Sequence, residues 1–337
     1  MRLCTLFTSI PLAGFIVISQ VQANPSQDST QWVMESQPDQ LTFPSKDATE
    51  NELMSPQPFY IISHRTLTVG GVVAAVNDGA NAMEIDARAY AGGWRADHDG
   101  IPFLSSGDSM RKMFEAIAAE RRAGKVITFV WLDIKNADEC PPIERSCSVL
   151  GLQDLARELL EPVGVRVLYG ISKSSSAPIK LLGQSLNSNE ALGIDCEAGD
   201  DVLSLFRMVE PPLTKNKTVY SCGLFSFDLD IRGERKRKLL EGIRSQAYGR
   251  TLGWTLLPRD IAIIQELGGA GVDGMIYAGT PANAYGVSST IGDILGGLFG
   301  KGGTQRENER RTQKMVAEWV RGNPEKRYIA RQEDAPW

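Results

Sequence analysis

The chain has 337 residues, 42% hydrophobic and 23% charged, an ordinary balance for a folded protein and enough for one α/β barrel or two smaller domains. A net charge of −5 excludes the strongly basic balance of a nucleic-acid-binding domain. The two basic stretches, Arg232 to Lys238 and Arg306 to Arg311, are interleaved with glutamates and read as solvated helix faces.

In chain order, Arg2 precedes an apolar run from Leu3 to Ile18, and Val21-Gln22-Ala23 follows as an A-x-A-like cleavage site. This layout predicts a secretory signal peptide over residues 1–23. Ser9, Pro11 and Gly14 interrupt the run, which is short for a membrane span. Residues 24–58, rich in Ser, Gln, Asp, Glu and Pro, predict a flexible leader. Residues 59–337 predict one folded domain. Its apolar runs are Phe59 to Ser63, Ala82 to Arg88, Ile127 to Ile134, Val165 to Ile171, Leu192 to Cys196, Thr218 to Leu224, Thr251 to Leu257 and Val272 to Ala278. Helical patterns lie between several of them, as at Met110 to Ala123, Leu152 to Leu160 and Ile261 to Leu267. Eight such units predict a single (β/α)8 TIM-type barrel. The rival is a doubly wound open sheet, but no G-x-G-x-x-G follows the first strand. Tyr285 to Arg310 is Gly-rich and then charged, and predicts an irregular insertion before a last helix, Thr312 to Arg321.

Cys4 falls in the signal segment, leaving Cys140, Cys147, Cys196 and Cys222, an even number suited to an oxidising, extracellular compartment. Cys140 and Cys147 bracket a short Pro-containing loop and form the first expected disulfide; Cys196 and Cys222 pair by elimination. Asn216-Lys217-Thr218 is a glycosylation sequon.

His64 and His98 are the only histidines. His64 lies at the tip of the first predicted strand, and His98 lies in Asp97-His98-Asp99-Gly100, a loop sequence shortly after the second. Barrel enzymes build their sites at this face. Glu84 and Asp86 are two apart on the second strand and therefore share a face, as do Asp133 and Lys135 on the third. Carboxylates crowded together call for a compensating cation. Glu84, Asp86 and Asp133 make a hard oxygen site for Mg²⁺ or Ca²⁺, with Mg²⁺ favoured because it takes few carboxylates and keeps water and phosphate oxygens. Lys135 either faces a phosphate or forms an internal salt bridge with these acids. A metal, a lysine and two histidines suit phosphodiester cleavage.

Ser63-His64-Arg65, the run Gly79 to Asp86, Ala96 to Gly100 and the run Thr128 to Lys135 together resemble the sphingomyelinase D / phospholipase D family, relatives of the glycerophosphodiester phosphodiesterases. The resemblance implies that His64 and His98 are an acid–base pair, that Glu84, Asp86 and Asp133 hold Mg²⁺, and that Lys135 contacts the phosphate. It places Trp254 near the choline end of the substrate, where an indole face attracts a quaternary ammonium; without the resemblance a packing tryptophan fits as well. Asp334-Ala335-Pro336-Trp337 is similar to the family's D-N-P-W tail, which packs on the bottom of the barrel, with Ala335 in place of Asn. The implied reaction removes the head group of sphingomyelin or lysophospholipids, by hydrolysis or by cyclisation to a cyclic phosphate. The implied partner is a phospholipid or lysophospholipid at a membrane or lipoprotein surface, met by a secreted monomer. A glycerophosphodiester phosphodiesterase is the nearest alternative. Those enzymes usually carry His-Arg-Gly, where this chain has Thr66, and Glu in place of Asp133. A secreted barrel that binds lipid without cleaving it is the alternative of another class.

Overall fold

The computed structural model describes residues 55–100, 106–171, 176–198, 201–279 and 304–337. The signal segment, nearly all of the leader and most of the Gly-rich stretch lie outside them. Eight strands run parallel: β1 (Gln57–Ser63), β2 (Ala82–Tyr90), β5 (Phe129–Ile134), β6 (Arg166–Ile171), β7 (Glu190–Asp195), β8 (Thr218–Gly223), β9 (Arg250–Leu256) and β10 (Gly274–Tyr277). β1 pairs with both β2 and β10, which closes the barrel. The helices between strands are α1 (Val69–Asp78), α2 (Met110–Arg122), α3 (Val149–Leu159), α4 (Ser176–Ser185), α5 (Val202–Arg207), α6 (Glu234–Ser245) and α7 (Ile261–Ala270). Local signals start several of them: Thr68, Ser109, Ser148 and Asp201 each accept a backbone N–H from the first turn of the helix they precede.

Three elements add to the expected barrel. An antiparallel hairpin, β3 (Gly93–Asp97) and β4 (Ser106–Ser109), extends β2 beyond the barrel wall. The last helix, α8 (Gln305–Arg321), starts seven residues before the predicted Thr312, because Thr304 and Glu307 form a capping box. It takes in the charged end of the stretch expected to be irregular. A short strand, β11 (Arg327–Ile329), lies along the start of β1. Each basic stretch is balanced by acids, with Arg237–Glu241 and Lys238–Glu234 pairs on α6 and Arg306 and Arg310 both facing Asp78.

Strand alternation separates two cores. Outward residues such as Met83, Ile85, Val130 and Leu132 pack against the helices. Inward residues, including Tyr60, Ile62, Phe129, Trp131, Leu168 and Leu252, fill the barrel together with Ala330 and Trp337 from the tail. Gly170 makes room inside: a Cβ there would meet Trp131 Nε1 at 2.2 Å. Continuing the alternation to the C-terminal strand ends leaves polar residues pointing into the open mouth.

Candidate active site

On β2, Ala82 belongs to the interior core, so Glu84 and Asp86 face inward above it. On β5, Phe129 and Trp131 face inward, and the same period carries Asp133 to the mouth, where it pairs in register with Asp86. Glu84, Asp86 and Asp133 each offer an oxygen, all within 4.8 Å of one another. Glu84 and Asp86 are buried. Asp86 Oδ2 is buried and makes no hydrogen bond among the described residues, with Arg65 Nε 3.4 Å away. An all-oxygen anionic set with a spare buried oxygen fits a hard divalent cation.

Lys135 Nζ lies 2.7 Å from Asp86 Oδ1 and 2.5 Å from Asp133 Oδ2, so the salt bridge open from sequence is made. Burial works against its ammonium, but Asp133, Asp86 and Glu84 outweigh that and raise its pKa. Burial, reinforced by Asp86 and Asp133, pushes the Glu84 carboxyl well above the usual range. Burial also pushes Asp86 upward, but Lys135, His98 and Arg65 prevail and hold it at about 2. Three carboxylates this close, paired with Lys135 and Arg65, could also hold a cation.

His64 continues β1 inward from Tyr60 and Ile62. Burial, and then Arg65, lowers its pKa to about 3, so the imidazole is neutral at physiological pH. Its Nδ1 is buried with no hydrogen-bond partner among the described residues. Arg65 takes a left-handed backbone at φ 48°. Its N–H donates to Glu84 Oε2 at 2.5 Å, which holds the turn that leaves the barrel. His98 sits in the loop after β3. There the buried Asp97 accepts from Tyr90 Oη and from the Gly100 N–H, and Arg88 donates to the His98 carbonyl at 2.9 Å. His98 Nδ1 meets Asp99 Oδ1 at 2.5 Å, and Arg65 reaches Asp99 Oδ2 at 3.7 Å. Arg65 therefore ties the two histidine loops together and to Asp86. His98 also acts electrostatically on both His64 and Asp86.

Across the mouth, half-buried Trp254 on β9 donates its indole N–H to Asp195 Oδ2 on β7 at 2.9 Å. Asp195 also accepts from Ser221 Oγ at 2.8 Å and from the Glu197 N–H at 2.9 Å. Burial raises its pKa to about 6, against the pull of these hydrogen bonds. The Cys196–Cys222 disulfide joins the residues that follow Asp195 and Ser221, and Cys140–Cys147 closes a loop after β5. Sequence reasoning overlooked Asp195, Asp99 and Arg65. Asp195 carried a usable signal, since it ends an apolar strand as Asp133 does.

The family model for sphingomyelinase D/phospholipase D matches residues 54–337. A sphingomyelinase D of Trichophyton rubrum is 34% identical over 296 residues, covering 83% of this chain and 81% of that protein. One of Aspergillus flavus is 33% identical, covering 84% of this chain and 92% of that protein. Among solved structures, a glycerophosphodiester phosphodiesterase from Parabacteroides distasonis matches with a TM-score of 0.43 and 10% identity, over 66% of this chain and 94% of that one. The chain belongs to the sphingomyelinase D/phospholipase D family, and is thus an enzyme of the phosphodiester-cleaving class.

Proposed function

We propose that this chain is a secreted, monomeric, Mg²⁺-dependent phospholipase D of the sphingomyelinase D type, removing the head group from sphingomyelin or lysophospholipids. The observation that carries the reading is the convergence of His64, His98 and three carboxylates at one barrel mouth, with Trp254 and Asp195 facing it. Glu84, Asp86 and Asp133 would hold Mg²⁺, which when bound supplies positive charge against the phosphate oxygens. Lys135 adds a second positive charge beside them. Neutral His64 accepts the proton of the attacking hydroxyl, from the lipid itself or from water. His98, oriented by Asp99, donates a proton to the departing head-group oxygen. The Trp254 face and the Asp195 carboxylate suit a quaternary ammonium. The two disulfides, and the absence among the described residues of a helix able to cross a membrane, fit a secreted protein.

Phosphorus NMR of sphingomyelin and lysophosphatidylcholine tests this reading. With Mg²⁺ the diester signal should give way to a cyclic phosphate or a monoester, and EDTA should stop the change. His64→Ala and His98→Ala should each slow turnover by about 10²–10⁴-fold with unfolding midpoints preserved. Turnover that ignores EDTA, or that occurs only with glycerophosphocholine, would overturn the assignment.

A further inference from the structure

Seven large hydrophobic residues are exposed among the described ones: Val73, Val126, Ile143, Phe225, Leu229, Ile231 and Ile261. Scattered singly they would mean nothing. Five of them lie at the barrel end where the site opens. Ile143, 90% exposed, sits in the disulfide-closed loop between β5 and α3. Phe225, Leu229 and Ile231, at 48%, 50% and 91% exposure, occupy the single loop between β8 and α6. Ile261 begins α7, just beyond β9. The β8–α6 loop also adjoins the site: Gly223 pairs in register with Trp254, and the Leu224 N–H donates to the Trp254 carbonyl at 2.9 Å.

This loop is built to hold its apolar side chains outward. Phe227 is buried and anchors it in the core. The Leu229 N–H donates to Ser226 O, the Asp230 N–H to Phe227 O, the Gly233 N–H to Asp230 O, and the Lys236 N–H to the Asp230 carboxylate. Residues on either side of the anchor are thus fixed in water, at a cost in solvation that folding alone does not repay. Exposed Arg232 directly follows Ile231 in the chain, so a cation adjoins the exposed apolar side chains.

We propose that the β8–α6 loop, with Ile143 and Ile261, forms a docking surface that inserts into a choline-phospholipid bilayer and seats the barrel mouth on it. The proposal rests on the lipid-cleaving reading of the site. Continuity with the mouth favours a bilayer over a protein partner, because a diacyl or ceramide substrate keeps its chains in the membrane while its head group enters the barrel.

The test is co-sedimentation of the full chain with phosphatidylcholine–sphingomyelin vesicles, beside turnover of those vesicles and of lysophosphatidylcholine below its micelle-forming concentration. Phe225→Ser/Ile231→Ser, and separately Ile143→Ser, replace exposed side chains and should keep the wild-type unfolding midpoint. The double variant should lose about tenfold or more in vesicle partition and in vesicular turnover, while turnover of the monomeric lipid stays within about twofold. Vesicle binding that needs these residues in a chain that cleaves neither lipid would sink the catalytic reading and leave the docking surface standing. The surface itself is refuted by wild type that fails to sediment with vesicles, or by partition that the variants leave unchanged. It is equally refuted if the double variant only converts a dimer to a monomer.

Discussion

Asp195 is held by three hydrogen bonds, yet burial still keeps its carboxyl at about 6, well above an ordinary aspartate. Only the ionised form attracts a quaternary ammonium, so KM for choline lipids should rise as pH falls through about 6. Asp195→Asn should raise KM at neutral pH and abolish that step, with kcat less affected. Stability follows the opposite sign. The folded state binds the proton more tightly than the unfolded one, so the cost of burying the charge appears as pH rises from about 4 to about 6 and is constant above. Two pKa units correspond to about 3 kcal/mol. Urea unfolding at several pH values should show this slope in the wild type and lose it in the variant; identical slopes would sink the assignment. The carboxylates of β2 and β5 were legible because strand periodicity makes co-facial pairs visible in sequence. Asp195 was legible only as the acidic end of an apolar strand; its pairing with Trp254, 59 residues away, was not, because no local spacing links them. Arg65 escaped notice because a left-handed backbone at an arginine leaves no sequence pattern.

The two disulfides make different demands on the elements they join. Cys140–Cys147 spans 7 residues within one loop, whereas Cys196–Cys222 spans 26 and ties the ends of β7 and β8. Loop-closure entropy assigns them about 2.4 and about 3.5 kcal/mol. Cys196→Ala/Cys222→Ala should therefore lower stability further than Cys140→Ala/Cys147→Ala. Because Asp195 and Ser221 directly precede its cysteines, it should also raise KM for monomeric lysophosphatidylcholine. Equal losses in chemical denaturation, with KM unchanged, would show that the bridge positions nothing. The barrel strands were readable because parallel strands covered on both faces become apolar runs. The hairpin was not, because Gly-Trp-Arg-Ala-Asp and Ser-Gly-Asp-Ser are short, polar and lack a clean alternation. The early start of α8 was hidden for a related reason. Its capping box sits in a charged stretch where apolar periodicity, the signal used for helices, is weak.

Closing a sheet into a barrel leaves an apolar interior with two ends, and the molecule treats them differently. The mouth gathers the charged side chains, while the other end is filled by the tail. Trp337 packs on Phe129 with ring centroids 5.2 Å apart, and Phe129 in turn meets Tyr60 at 5.3 Å. Arg250 Nε donates to the Pro336 carbonyl at 2.7 Å, and the Ile127 N–H donates to Gln332 Oε1 at 2.9 Å. Buried Asn81 links the whole: its Oδ1 accepts from Ile61 N, and its Nδ2 donates to Ala330 O. The tail thus completes the interior core, and Ala335 in place of Asn removes none of these contacts. Trp337→Ala should cost about 3 kcal/mol, the lower end for a large aromatic removed from a core, since Trp337 keeps 9% exposure. For a domain of this size that corresponds to a Tm lower by about 6 °C. Because the lesion lies a barrel length from His64 and His98, kcat measured well below Tm should stay within about twofold. A Tm unchanged by the substitution would mean the tail merely rests on the barrel. A kcat that falls while Tm holds would mean that the bottom layer sets the geometry of the mouth, through the stacked interior residues Phe129, Trp131 and Asp133.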